Sequence, residues 1–173
     1  FLPYRYIRRK FLPKTHNLKK QTTTITFLQY PQLPNKIWAF GMMQFAHSHL
    51  AKATGLTFYK LMGSGKGDGF NPWPDWSVYS LLMVWETEAH ATDFIDYSKL
   101  FDSYRKHTSA IWTLYLKNNK VHGQWSGKNP FQSLPKPATA YPRIAVITRA
   151  TIRIRKLRKF WNYVPTSSIP LAN

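Results

Sequence analysis

Residues 77–86, Ser-Val-Tyr-Ser-Leu-Leu-Met-Val-Trp-Glu, constrain the fold of this chain more than any other stretch. Val78, Ser80, Leu82 and Val84 alternate with Tyr79, Leu81, Met83 and Trp85, the period of two that marks a β-strand. Both sets are largely apolar. A strand of this kind has to be covered on both faces.

The flanking segments supply its neighbours. Residues 22–30 (T-T-T-I-T-F-L-Q-Y) are β-branched and aromatic and read as a strand, ended by Pro31 and Pro34. From Asn35, Trp38, Met42, Phe45 and His49 fall three or four apart, predicting an amphipathic helix that stops near Gly55, with His49 as a semi-buried member of its apolar stripe. Residues 56–62 predict a second strand, followed by a loop through Gly63, Gly65, Gly67 and Gly69. Residues 87–107 predict a helix broken near Ser98, with Phe94, Tyr97 and Phe101 on the buried stripe. Trp112, Leu114 and Leu116 alternate in a further strand, and after a polar turn at 117–120 residues 121–125 extend it. The order β-α-β-β-α-β predicts an α+β, ferredoxin-like unit over 22–126: an antiparallel sheet with two helices on one face.

Residues 1–21 read as a disordered basic arm and residues 127–142, with four prolines, as a linker. Residues 143–154 predict another strand and residues 155–163 a helix carrying Trp161, a repeat of how the first unit opens. Residues 143–173 are thus expected to be an incomplete second ferredoxin-like unit, and the chain to be a truncated fragment.

Charge narrows the partners. The chain has 25 Lys and Arg against 7 Asp and Glu, a net charge of +18. Seven basic residues lie in 1–20 and seven in 141–173, with no acid in either segment, whereas every acid falls between Asp68 and Asp102. The excess at the ends favours contact with an anionic surface, lipid headgroup or nucleic acid. The absence of cysteine excludes disulfides, thiolate metal sites and a cysteine nucleophile. No apolar run approaches the ~18 residues of a membrane-spanning helix.

The residues offer little conventional chemistry. In the glycine-rich stretch Lys66 is followed by Gly67 rather than the hydroxyl residue of a phosphate-binding loop, and a strand rather than a helix follows. The six histidines form no H-E-x-x-H and no carboxylate-partnered spacing, so no metal site is predicted, although a single histidine suffices to hold a haem iron. Neither central strand carries the aromatic signature of an RNA-recognition sheet, which argues against nucleic acid. The aromatic content, 16% of the chain with seven tryptophans, is suited to lining a pocket for a long apolar or planar ligand, or simply to filling a core. Lys60, Ser64, Phe70, Trp73 and Trp76 are the candidate pocket residues, shaping the mouth of such a pocket.

Several stretches together resemble the spheroidene monooxygenase family of carotenoid biosynthesis: W-A-F-G-M-M at 38–43, F-Y-K-L-M-G-S-G-K-G-D-G-F at 58–70, W-S-V-Y-S-L-L-M-V-W at 76–85, H-G-Q-W-S-G-K-N-P-F at 122–131, I-A-V-I-T-R-A-T-I-R at 144–153 and R-K-F-W-N-Y-V-P at 158–165. The resemblance implies a haem-dependent monooxygenase that introduces a keto group at C2 of an acyclic carotenoid such as spheroidene. It implies a fold of the dimeric α+β barrel type with two ferredoxin-like units per chain, and an external electron donor such as ferredoxin. The expected location is cytoplasmic, peripheral at the inner membrane surface through the basic ends. In related haem barrels the axial histidine comes from the second unit; within this chain His107 is the nominated candidate, with no motif to assign it. The alternative is a non-catalytic basic ferredoxin-like module that binds nucleic acid or a membrane surface.

Overall fold

The computed structural model describes residues 21–67, 73–133, 144–149 and 152–168, the last five of these by backbone only. Four strands, β1 (Thr22–Gln29), β2 (Leu56–Gly65), β3 (Pro74–Trp85) and β4 (Ala110–Leu116), alternate with helices α1 (Leu33–Leu50), α2 (Glu88–Tyr97) and α3 (Lys99–His107). The sheet is antiparallel throughout, in the order β2-β3-β1-β4, the ferredoxin-like arrangement expected from the sequence.

Residues 77–86 therefore sit in a central strand, and each face is covered differently. Tyr79, Leu81, Met83 and Trp85 join Leu28 and Tyr30 against Ala39, Ala46 and Leu50 of α1, Ala91 and Ile95 of α2, and Leu100, Phe101 and Tyr104 of α3. The buried indole of Trp85 donates from Nε1 to Thr24 Oγ1 at 2.9 Å, which satisfies two polar atoms that burial would otherwise strand. The opposite face carries Leu82 and Val84, both without solvent exposure, facing away from the helices.

The predicted break at Ser98 is present. Ser98 is extended (φ −77°, ψ 145°), ends α2 and caps α3, its Oγ accepting from Phe101 N at 3.3 Å. Thr87 caps α2 in the same way, Oγ1 accepting from His90 N at 3.3 Å. Gly55 joins α1 to β2 at φ +73°, and a Cβ there would lie 1.9 Å from His90 Nδ1. Both the backbone angle and the packing of α2 exclude a side chain at this position.

Five expectations are corrected. Of the expected α1 stripe, Trp38 and Met42 pack against the core beside Ala39, Ala46 and Leu50, whereas Phe45 and His49 are exposed. Tyr97 is exposed as well, because the phase of the helix changes at Ser98. Gly63 and Gly65 belong to strand β2 rather than to a loop, so the β2–β3 hairpin is longer than predicted. Residues 121–125 form no strand but a single bridge, Trp125 to Lys128. In the tail, a 3₁₀ turn (Ile154–Lys156) and helix α4 (Leu157–Ser168) form as expected. The strand does not: residues 144–149 and 152–153 carry no ladder, and Ile144, Val146 and Ile154 are exposed. Alternation alone makes no strand where, among the described residues, no neighbouring edge takes up its backbone donors and acceptors. The expected basic arm at 1–20 lies outside the described residues.

Candidate functional site

The sheet face away from the helices holds the candidate site. Antiparallel register puts Phe58 opposite Val84, Lys60 opposite Leu82, Phe27 opposite Trp112 and Ile25 opposite both Leu82 and Leu114. Alternation places all of them on this face. It is largely apolar, with Thr23, Gln29 and Ser80 as its neutral polar members, and it carries the ammonium of Lys60, which lies 5.7 Å from the centre of the Phe58 ring.

One end of the face is covered by the segment that follows β4, residues 117–133. Trp125 and Phe131 pack on Phe58 with ring centres at 5.9 and 6.3 Å. Gln21 fastens the segment. Its Nε2 donates to Pro130 O at 3.0 Å, and its Oε1 accepts from Gln132 N at 2.7 Å and from Asn118 Nδ2 at 3.0 Å. Thr23 Oγ1 donates to Asn118 Oδ1 at 2.9 Å. This strap explains why Leu82 and Val84 are fully buried on a face without helices.

The other end stays open. Phe27 and Trp112 stack with ring centres at 5.6 Å, and with Leu28, Gln29, Val78 and Ala110 they line an apolar cavity of about 200 Å³. Trp112 remains more than half exposed at its mouth. The cavity is suited to one end of an apolar chain and is smaller than the ~300–1,000 Å³ of sites that enclose a whole ligand.

The residues nominated from the sequence do not converge. Lys60 is on the open face. Ser64 Oγ donates to Val78 O at 2.9 Å, across an irregularity where pairing jumps from Gly63–Tyr79 to Ser64–Asp75. Its hydroxyl thus serves the β-bulge. Trp73 is exposed and its carbonyl accepts from Lys66 N at 2.8 Å, while Trp76 packs edge-on against Phe40 of α1 at 5.5 Å. Phe70 lies outside the described residues. His107 is in the helical layer, across the sheet from Lys60; its ring lies flat on Trp38 at 3.9 Å, and its Nδ1 is 2.8 Å from Ser103 O. Sequence reading missed Phe27 and the strap. The alternation of Trp112, Leu114 and Leu116 is a signal for one sheet face, and its register against β1 makes it the open one.

At the hairpin base, Asp75 Oδ1 accepts from both the hydroxyl and the backbone N–H of Ser77, the latter at 2.8 Å. These bonds, with Lys36 and Lys66 nearby, hold its carboxyl below the usual value. In the helical layer, burial pushes the phenols of Tyr30, Tyr104 and Tyr79 up. Tyr79 Oη and His90 Nδ1 are buried without a hydrogen-bond partner. Among the described residues, no three carboxylate or imidazole groups are gathered to hold a metal ion.

The residues lining the open cavity include no histidine, and His107 lies in the helical layer with its ring stacked on Trp38.

The fold and open face thus define an α+β, ferredoxin-like domain with an apolar sheet surface. No family model matches the chain. Spheroidene monooxygenase from Cereibacter sphaeroides is 34% identical over 151 residues, covering 86% of this chain and 45% of that protein. The enzyme of that name from Rhodobacter capsulatus is 34% identical over 133 residues, covering 76% and 55%. By sequence the chain belongs with the spheroidene monooxygenase family, and it spans about half the length of these relatives. Among solved structures, SnoaB, a cofactor-independent oxygenase from Streptomyces nogalater, aligns with a TM-score of 0.43 at 11% identity, covering 59% of this chain and 96% of that one.

Proposed function

We propose that this chain is part of a monooxygenase acting on an acyclic carotenoid, with the keto group introduced at C2 of a spheroidene-like polyene. The observation that carries the reading is the sequence relationship to enzymes named spheroidene monooxygenase over 86% of the chain. The open sheet face supports it. A polyene end is apolar, thin and rigid, and a stacked Phe27–Trp112 pair beside Val78 offers it a wall of matching chemistry.

In this reading the chain's own residues bind and orient. Phe27, Val78 and Trp112 take up the chain end, and the strap that buries Leu82 and Val84 keeps water from the adjoining half of the face. Haem as the oxygen-activating group and ferredoxin as electron donor belong to the same proposal, and the residues lining the open cavity supply no axial histidine. Contact of the basic ends with a membrane surface is a further part of it.

The test is spheroidene binding to the 173-residue protein, followed by quenching of tryptophan emission. Saturable quenching that weakens about tenfold or more in Trp112→Ala is expected from the loss of one large aromatic contact. Quenching unaffected by Trp112→Ala removes the groove from the proposal. Haem reconstitution tests the ligand assignment separately: this chain is expected to give no stoichiometric Soret band. A stoichiometric band that disappears in His107→Ala would return the ligand to His107.

A further inference from the structure

Helix α1 has two apolar faces, and only one is used by the core. Ala39, Ala46 and Leu50 point inward. On the opposite side Leu33, Ile37 and Phe40 follow one another at i, i+4 and i+7 with 69%, 66% and 59% of their surface exposed. The stripe continues off the helix, because the Phe40 ring meets that of Trp76, itself 51% exposed, at the base of the β2–β3 hairpin. Trp73, 73% exposed, is two residues before Asp75 on the same strand end. Single exposed apolar residues are ordinary, but a contiguous patch of this kind marks a contact surface.

The charges around the patch choose its occupant. Lys36 lies in the first turn of α1 and Lys66 on the hairpin, and both act on Asp75 between them. Helix α1 contains no acidic residue. A chain of net charge +18 is repelled by a second copy of itself. Aliphatic and aromatic side chains rimmed by lysine, with tryptophan at the edge, are instead the pattern of a surface that rests in the headgroup region of a bilayer. We infer that the outer face of α1, with Trp73 and Trp76 of the hairpin, is a docking surface for anionic lipid bilayers. This surface is separate from the basic ends of the chain and from the open sheet face, and the inference stands whatever the substrate.

The experiment is co-sedimentation of the full chain with vesicles of phosphatidylcholine and phosphatidylglycerol, and with phosphatidylcholine alone. Binding to the mixed vesicles is expected to fall about tenfold or more in Ile37→Ser/Phe40→Ser, with helicity unchanged. Lys36→Gln/Lys66→Gln is expected to weaken it several-fold, and only where the lipid is anionic. A second readout is independent of those variants: brominated lipid should quench the emission of the wild-type chain, and Trp73→Phe/Trp76→Phe should abolish that quenching. Binding that survives Ile37→Ser/Phe40→Ser unchanged would show that the basic ends act alone and overturn the inference. Quenching that survives the tryptophan replacements, equal binding to neutral vesicles, or a dimer that the Ile37→Ser/Phe40→Ser variant dissolves would each overturn it too.

Discussion

Ser64 and Asp75 show how residues that suggest chemistry can be occupied with geometry. The hydroxyl of Ser64 is committed to Val78 O, where the hairpin register jumps. Ser64→Ala leaves that carbonyl short of one donor at a half-buried position. A loss of about 0.5–1.5 kcal/mol in unfolding free energy is expected, measured by urea denaturation. A variant as stable as the wild type would show that water replaces the hydroxyl. Asp75 accepts two bonds from Ser77, so its charged form is favoured in the fold and its folded pKa lies below the ordinary 3.8. A depressed carboxylate contributes stability that is present above the unfolded value and lost as pH falls through the folded one. Asp75 should therefore titrate below the ordinary 3.8 when followed by carboxyl-carbon NMR. A midpoint at the ordinary value would mean that the Ser77 bonds are absent in solution.

Segment 117–133 makes its own prediction at the scale of elements. Gln21 holds it at three points, to Pro130 O, Gln132 N and Asn118, so one substitution releases all three. Gln21→Ala is expected to speed limited proteolysis within the strap several-fold while β1–β4 stay protected, because local opening and global unfolding are separate events. Cleavage at the wild-type rate would place the hold in Trp125 and Phe131 alone. The strap also marks where sequence reading stopped. Its first part reads as a turn and a strand and its last part as the start of a proline-rich linker, and nothing local reveals that Trp125 and Phe131 sit on Phe58, far away in sequence. The strands were legible because period-two alternation marks residues 77–86 and 112–116 and β-branched and aromatic residues crowd 22–30. The inward face of α1 was not: close packing on the sheet favours the small Ala39 and Ala46, while large apolar residues also occupy the outer face. Two stripes on one helix blur a period that a single stripe makes plain. For the candidate site, alternation reached Trp112, but Phe27 and the cavity depend on register, which residues 22–30 and 110–116 do not reveal when read apart. The expected strand over 143–154 had the right alternation too. Its described residues pair with no strand, although β2 and β4 stand at the edges of the sheet, so alternation without a partner is not enough.

At the scale of the whole molecule, the helical layer is held by a chain of ring contacts. Tyr79 meets Tyr30 at 5.9 Å, Tyr30 meets Trp38 at 6.2 Å, and Trp38 meets Tyr104 at 5.9 Å and His107 at 3.9 Å. This cluster ties β1 and β3 to α1 and α3, so it loosens only when the layers separate. Burial disfavours the ionised phenols, and the folded pKa values of Tyr30, Tyr79 and Tyr104 all lie above the ordinary 10.0. A group whose folded pKa is raised contributes stability that is complete below its unfolded value and lost as pH rises through the folded one. Stability should therefore decline above about pH 10, where an unfolded tyrosine ionises. Tyr30, Tyr79 and Tyr104 should ionise above pH 10 in one cooperative step, in which tyrosinate absorbance rises as the near-ultraviolet circular dichroism collapses. Tyr104→Phe removes one titrating group and keeps the ring contacts, so it should move that step to higher pH. If these three ionise while the aromatic signal persists, solvent reaches the cluster without opening the fold, and the helical layer is looser than its packing implies.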